Sequence, residues 1–454
     1  MTETGSWGEL FGSRYRGAAT LLAGGVGIYA INEFITLSLL PSVIDEIGGS
    51  RLYAWVTTVY MVASVIGAAT VGPLLTRLGP RRSYLFALMS FGAGSLVCML
   101  APTMPVLLCG RAVQGLAGGV LAGLGYAVIS AVFPERLWTR AAATVSVMWG
   151  VGTVIGPVSG GLFAQFDLWR GGFAFLVVLA LLVSLLVSPA LSGGGTPVTT
   201  ALRIPTLSLA LLGFAALAVS LAAIPRDPVV TAVLLAVAAV LVVVFVGVEK
   251  RASATVLPRA VFAPGPLKWI YLTLGLMMAA TMVDMYVPLF GQRLGGLSPL
   301  AAGFLAAALS VGWSASEIRS ASISHRPTAA RVVRLAPLVM AAGLALAVVT
   351  PVPVWALALI ITGAGIGGAW PHLSVWAMGS VDGPAEQAVA GAAVNTVQLI
   401  CGAFGAGLAG VVVNLRESPD GTASRSVFAV FAVLAAAGLF ASSRACRPPV
   451  AQAR

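Results

Sequence analysis

Charge is scarce in this chain. Asp, Glu, Lys and Arg make up 9% of its 454 residues, against 59% hydrophobic. With a mean hydropathy of +0.98, there is too little polar surface to cover a water-soluble globule, so lipid is the expected main solvent. Cysteine is also sparse. Cys98, Cys109, Cys401 and Cys446 show no paired or metal-like spacing, and three fall inside apolar runs, which excludes a disulfide framework and leaves packing residues. No Gly-x-x-x-x-Gly-Lys-Ser/Thr loop is present and no soluble stretch is long enough to hold one, which excludes ATP-driven pumping. The sequence holds no metal-ligand cluster and no nucleophile triad. No metal, no cofactor and no embedded enzyme are therefore expected. The first polar stretch, residues 1–16, carries Glu3 and Glu9 and lacks the cationic head and small-residue cleavage site of a signal peptide. The first apolar run is expected to remain as a true span.

What the chain has in abundance is long apolar runs. A span needs about 20 mostly apolar residues, because every backbone amide in hydrocarbon must find a partner within the segment. Fourteen such runs occur, from residues 18–40 to residues 427–442. The net charge of +11 does not indicate a nucleic-acid partner, because the basic residues sit in short clusters between apolar runs. Placing both termini and the loops after even-numbered spans on one face puts 19 of the 26 Lys and Arg there, 6 on the other face and 1 inside a span. That asymmetry predicts cytoplasmic termini.

Pro225-Arg226-Asp227-Pro228 interrupts an otherwise continuous apolar stretch, because two prolines around a charged pair cannot continue a spanning helix. Ser192 to Pro197 is Gly-rich and reads as a flexible linker. The plan is a cytoplasmic segment 1–17, a six-helix bundle 18–190, a linker region 191–266 with two extra spans, a second six-helix bundle 267–442 and a cytoplasmic tail 443–454. The two extra spans read as a connection between the halves. A faint internal repeat accompanies this plan. Pro41 precedes Gly48 and Gly49 at the same distances as Pro288 precedes Gly295 and Gly296, and Gly118-Gly119 is echoed by Gly367-Gly368.

Three segments carry motif-like patterns. The connection after span two reads Gly72-Pro73-Leu74-Leu75-Thr76-Arg77-Leu78-Gly79-Pro80-Arg81-Arg82. Its glycines permit a tight turn and its arginines suit the cytoplasmic face. Span four contains Gly110-Arg111-Ala112-Val113-Gln114-Gly115. An arginine in hydrocarbon costs several kcal/mol unless it faces protein or water, so Arg111 is either a functional group or one snorkelling from a helix end. In span five Gly152, Gly156 and Gly160 recur every four residues, with Pro157 and Gly161 beside them. Such a ridge without side chains allows close helix packing, and the proline can kink the helix.

These segments resemble the signature motifs of the major facilitator superfamily. Trp55 to Tyr60 and Trp169-Arg170-Gly171-Gly172-Phe173 are similar to its fourteen-span drug:proton antiporter branch. The resemblance covers the first six spans; the second half matches in helix layout. It implies an all-α polytopic membrane protein of the major facilitator fold, with two six-helix bundles, two extra spans between them and 14 transmembrane helices. It also implies that the span-five motif marks an exporter. In that family an acidic residue usually stands at the position of Thr76 and helps latch the halves, so this departure puts that latch in doubt.

Two acidic residues fall deep in spans. Glu33 lies 17 residues after Arg16 and 12 before Asp45, and Asp284 lies 16 after Lys268 and 9 before Arg293. They sit on the first helices of the two bundles, which the resemblance places around a central cavity. A carboxyl group in a low-dielectric cavity can exchange protons near neutral pH, and a nearby guanidinium such as Arg111 opposes its protonation. The two carboxyls are thus candidates for alternating between a proton and a substrate; the alternative is a structural carboxylate bonded to a neighbouring helix. Glu317, near the end of span ten, reads as interfacial and structural. His372 follows Trp370-Pro371, where the proline would loosen the helix, and is a secondary candidate to titrate or bind substrate. Tyr286 and Trp370 are candidates for an aromatic wall, and His325 reads as loop surface.

The leading expectation is a monomeric proton-coupled transporter of the cell membrane. It would export small amphipathic or cationic compounds with the proton as coupling ion, contact lipid, and need no obligate protein partner. An exporter dedicated to one metabolite, lipid or siderophore is the alternative. A non-transporting sensor or scaffold would need a partner-binding soluble extension, and none is visible in the sequence.

Overall fold

Apolar runs of this length fold as helices, because a helix pairs its own amides and needs no neighbour to do so. The computed structural model describes residues 7–190, 204–225, 227–252, 254–323, 325–382, 384–416 and 421–446. The expected linker Ser192 to Pro197, Arg226 of the turn and residues 447–454 of the tail lie outside the described residues. In chain order the helices are α1 (Trp7–Leu10), α2 (Arg16–Ile47), α3 (Tyr53–Ala69), α4 (Val71–Met99), α5 (Met104–Val132), α6 (Glu135–Gln165), α7 (Trp169–Ala190) and α8 (Thr206–Leu221). They continue with α9 (Pro228–Glu249), α10 (Leu267–Thr281), α11 (Val287–Gly295), α12 (Pro299–Ala321), α13 (Arg326–Val349), α14 (Trp355–Met378), α15 (Pro384–Leu415) and α16 (Thr422–Ala445). Among the described residues 13 helical segments are long and apolar enough to cross a membrane, and α8 is a shorter apolar helix of 16 residues. The all-helical architecture and the fourteen-span layout follow.

The chain divides into two compact units. The first comprises Met1–Gly49, Val59–Ile204 and Pro299–Gly303; the second comprises Ser50–Thr58, Pro205–Ser298 and Phe304–Arg454. The N-terminal end of α3 therefore groups with the second unit, and the first turn of α12 with the first.

In the first unit α6 lies along α2 through the glycine ridge. A Cβ at Gly152 would come within 2.6 Å of Ala30 Cβ, one at Gly156 within 2.3 Å of Phe34 Cβ, and one at Gly160 within 2.8 Å of the Ile35 carbonyl. The span-five motif is thus a packing surface. Gly161 is equally close to Leu300, at 2.6 Å. The connection after α3 is more helical than its sequence suggests. Residues from Val71 onward are already in α4, and the turn is concentrated at Gly79, whose φ of 71° favours glycine, followed by Pro80. Thr76 donates its hydroxyl to the Gly72 carbonyl at 2.9 Å, while Arg77, Arg81 and Arg82 are exposed.

The glycine echo in the sequence has a structural counterpart one residue out of register, with Gly119 rather than Gly118 matching Gly367. In the first unit Gly115 and Gly119 of α5 meet the carbonyls of Tyr60 and Ser64 on α3. In the second unit Gly363 and Gly367 of α14 meet those of Leu309 and Trp313 on α12. Both crossings keep a four-residue step on each helix, and a Cβ at any of these glycines would lie 1.8 to 2.3 Å from a carbonyl oxygen.

The first of the two extra spans, α8, packs into the second unit. In the second unit the C-terminal end of α8 receives the indole N–H of Trp55 on the Ser220 carbonyl at 2.9 Å, and Ser220 donates its hydroxyl to Thr58 at 2.8 Å. Asn414 of α15 donates to the carbonyls of Ala223 at 2.8 Å and Arg51 at 3.2 Å. Ala222, Ala223 and Val411 form a small buried cluster beneath Leu234 and Leu235 of α9. α8 thus belongs to the packed unit. α9 is peripheral: only 17% of its most apolar window is buried, and Val229, Val233, Val240 and Val243 are 56–71% exposed, as a lipid-facing helix requires. Asn414→Ala leaves two carbonyls without their donor, at about 1–3 kcal/mol for each group left buried and unpaired. A lower melting temperature in detergent is the expected result, with Ser220→Ala changing it in the same direction.

Candidate functional site

The spans that carry the two deep carboxyls are the most buried in the molecule. In α2, 89% of the most apolar window is buried, and in the span Leu267–Gly295 the figure is 83%. A charge at such a depth must be matched by a partner, water or a proton.

In the first unit Arg111 organises the polar interior. It is 2% exposed and donates to Asn32 Oδ1 at 3.0 Å, Thr36 Oγ1 at 3.3 Å and Gln114 Oε1 at 2.8 Å. Its guanidinium carbon lies 4.2 Å from the centre of the Tyr60 ring, a cation–π arrangement. The snorkelling alternative is thereby overturned: these partners hold the guanidinium inside the bundle. Gln114 is fixed in turn by donating to Ser95 Oγ at 2.7 Å. Beside this network Tyr29 contacts Tyr60 and Trp149, each with ring centres 5.7 Å apart, and Phe34 meets Trp149 edge-on.

Glu33 stands next to Asn32 on α2. It is partly exposed while its neighbours Ile31, Asn32, Phe34 and Ile35 are buried. Among the described residues no side chain forms a hydrogen bond or salt bridge with it. The guanidinium beside it is already held by neutral oxygens.

In the second unit the span from Leu267 to Gly295 is broken. α10 ends at Thr281, a 3₁₀ segment runs over Met282–Tyr286, and α11 begins at Val287 with Pro288 in its first turn. Pro288 supplies no amide to the i−4 carbonyl, which is that of Asp284, so the helical ladder is interrupted at the acid. Breaks of this kind at membrane depth place polar groups where a cavity can use them. Asp284 is partly exposed within an otherwise buried segment. Tyr286 stacks on Tyr53 at 4.6 Å and on Phe290 at 5.8 Å, and Tyr53 donates its hydroxyl to the Met285 carbonyl at 2.8 Å.

His372 and Trp370 lie on α14, which stays continuous through Pro371. Ser320 of α12 donates to the Gly368 carbonyl at 2.6 Å and lies 2.9 Å from His372 Nε2. With the one serine hydrogen committed to the carbonyl, His372 donates from Nε2 and Nδ1 is left as the acceptor of the neutral ring. Trp370 packs on Trp313 with ring centres 5.2 Å apart.

The first unit thus brings Glu33, Arg111, Gln114 and Gly115 to one region, with Gly152 and Gly156 packing against the adjoining face of α2. The second unit holds Asp284 with Tyr286 in the broken span, and Trp370 with His372 on α14. Gly72, Arg77, Gly79, Arg81 and Arg82 lie at the α3–α4 connection. Asn32 and Thr36 were missed as functional residues, although their four-residue spacing on α2 is a helical signal that the Arg111 network uses. Tyr29, Trp149 and Ser95 carried no such signal, because each reads as ordinary span sequence.

The sequence profile of the Major Facilitator Superfamily matches residues 22–406. A Mycobacterium tuberculosis protein named "Probable multidrug-efflux transporter" is 57% identical, over 98% of this chain and 97% of its own. The multidrug transporter protein MdtP of Bacillus subtilis is 24% identical over 86% of this chain and 73% of its own. Among solved structures, the nucleoside transporter NupG aligns with a TM-score of 0.68 at 13% identity, covering 94% of this chain and 98% of its own. A peptide-bound transporter of the POT family aligns with a TM-score of 0.69 at 12% identity, covering 94% and 95%. At those identities the structures speak to the fold alone, which is the all-helical fold of these transporters. The profile match over residues 22–406 and the 57% identical relative establish that the chain belongs to the major facilitator superfamily.

Proposed function

We propose that this protein is a secondary transporter of the cell membrane that exchanges protons for small amphipathic or cationic compounds and exports them by alternating access. Both termini are cytoplasmic in this reading, the protein works as a monomer among lipids, and the proton is the coupling ion. The multidrug-efflux name of its 57% identical relative supports the substrate class.

The observation that carries the mechanism is Glu33: a partly exposed acid in the middle of the most buried span, with no hydrogen-bonding or ion-pairing partner among the described residues. Such a group reaches neutrality by taking a proton or by facing a cation. Competition for the same carboxylate makes the two exchange, and Arg111, held by Asn32, Thr36 and Gln114, keeps a fixed positive charge nearby. Asp284, in the broken span of the other unit, is the second carrier. Inward movement of one proton releases about 2.3 kcal/mol per 100 mV and about 1.4 kcal/mol per pH unit, enough to sustain a substrate gradient of well over tenfold.

The test is efflux of a fluorescent cation from proteoliposomes under an imposed pH gradient. The parent is expected to transport. Glu33→Gln or Asp284→Asn is expected to lose gradient-driven transport by at least about tenfold, the effect of 1.4 kcal/mol. Undiminished pH-driven transport in the double variant would overturn the mechanism. A folded parent that moves no cation would favour a dedicated exporter instead.

A further inference from the structure

At one end of the second unit, the start of α10 and the last turn of α16 carry a cationic cluster that the transport mechanism does not use. Arg444 of α16 lies with its guanidinium carbon 4.7 Å from the centre of the Trp269 ring of α10 and 4.4 Å from that of Phe440, one turn earlier on its own helix. The two rings meet edge-on with centres 5.5 Å apart. Lys268 approaches the same indole from α10, with Nζ 5.8 Å from the ring centre. Two positive charges thus converge on one tryptophan. Among the described residues neither forms a salt bridge.

Each cation stands at the end of an outward-facing apolar stripe. Leu272 follows Lys268 by four residues on α10, and both are exposed; on α16 Val433, Phe440 and Arg444 recur at helical spacing, with Val433 and Phe440 exposed. In a chain that spans a membrane, exposed leucine, valine and phenylalanine face acyl chains, and a tryptophan beside terminal cations marks the headgroup level. The neighbouring faces of α10 and α16 are thus apolar at these positions and doubly cationic at their end, the complement of a lipid with an anionic headgroup. Two like charges near one ring, at the boundary of a low-dielectric medium, are relieved by an anion between them. α10 starts there without a side-chain cap, so its positive dipole end adds to the same field. The guanidinium of Arg444 is already held against two rings, which reduces the freedom it loses on binding.

We propose that Lys268 and Arg444, together with Trp269 and Phe440, bind an anionic phospholipid at the lipid-facing surface of the second unit. The phosphate accepts from the ammonium and the guanidinium, and the acyl chains lie along Leu272, Phe440 and Val433. Free inorganic phosphate shares the headgroup chemistry but has no chains to cover the apolar stripes. The site is distinct from substrate recognition, because its charge repels a cation. α10 leads into the broken segment that holds Asp284, so an occupied site braces the α10–α16 seam at the start of that span.

The experiment is native mass spectrometry of the purified full-length protein in a neutral detergent, titrated with phosphatidylglycerol or phosphatidylcholine. The parent is expected to bind phosphatidylglycerol in preference. Lys268→Gln and Arg444→Gln are each expected to weaken phosphatidylglycerol binding about fivefold, and the double variant about thirtyfold, the usual effect of removing basic residues near an anionic lipid. Phosphatidylcholine binding is expected to stay unchanged. Arg331→Gln combined with Arg334→Gln removes two exposed arginines of α13 instead and is expected to leave the preference intact. Lys268 is exposed, so Lys268→Gln carries the test should Arg444→Gln fail to fold. An equal loss in the α13 control would mean a diffuse positive surface rather than a site and would overturn the proposal. So would a parent without preference, an unchanged preference in folded Lys268→Gln, or inorganic phosphate that displaces the lipid at equal concentration.

Discussion

Arg111→Met is expected to lower the protein's thermal stability and abolish its transport together. The guanidinium donates to three oxygens on two helices, Asn32 Oδ1 and Thr36 Oγ1 of α2 and Gln114 Oε1 of α5, and lies over the Tyr60 ring of α3. Asn32 Oδ1 is left buried without a donor, at about 1–3 kcal/mol, while Gln114 Oε1 keeps the Cys98 thiol at 3.6 Å and Thr36 keeps its bond to the Asn32 carbonyl at 2.7 Å. Methionine refills part of the volume but donates nothing. Arg111→Lys restores the charge without the planar fork that reaches several acceptors at once, and it is expected to recover only part of the loss. Thermal unfolding in detergent, followed by chromatographic monodispersity, measures the effect. A melting temperature for Arg111→Met indistinguishable from the parent's would show that the network is not structural, because 1 kcal/mol moves the midpoint of a 454-residue chain by about 1 °C. Stability retained with transport lost would assign Arg111 to the transport chemistry alone.

Gly119→Val and Gly363→Val are expected to yield no monodisperse protein. A Cβ at Gly119 would lie 1.9 Å from the Ser64 carbonyl oxygen, and one at Gly363 would lie 1.8 Å from that of Leu309. Neither neighbour is a flexible side chain that can turn away; both are helix backbone. Relief requires α5 to move from α3, or α14 from α12, by more than an ångström, and close-packed interiors do not yield that far without losing their other contacts. Gly150→Ala is the matched control, since a Cβ there meets nothing within 4 Å. Normal folding of either valine variant alongside that control would mean that the crossings are looser than the structure has them.

The same glycines mark the limit of what a sequence shows. Gly118-Gly119 and Gly367-Gly368 stood out as a repeat, but nothing local says that Gly119 and Gly367 face a carbonyl. Over Gly152, Gly156 and Gly160 the four-residue period was itself the signal, because a helix brings residues four apart to one face. Arg111 was legible as a costly residue and not as a bonded one. Its acceptors are an asparagine, a threonine and a glutamine, residue types that recur throughout any chain. Glu317 was read as interfacial from its neighbour Arg319, and its hydrogen-bond partner Trp313 stands one helical turn away. The helical i,i+4 spacing of Trp313 and Glu317 was available, whereas the approach of Trp370 was not.

By itself the sequence determined that the protein is a membrane-embedded, all-helical transporter-like chain, how many spans it has, and that Glu33 and Asp284 lie deep within two of them. Those properties are local: apolar length, charge position and helical period are all written along one segment. Only the tertiary structure decided which polar groups meet. Asn414 binds the Arg51 carbonyl across 363 residues and the Ala223 carbonyl across 191, and Trp55 reaches Ser220 across 165. In hydrocarbon an isolated polar side chain must find a partner, but many small polar residues can serve, so the choice among them belongs to packing rather than to sequence pattern.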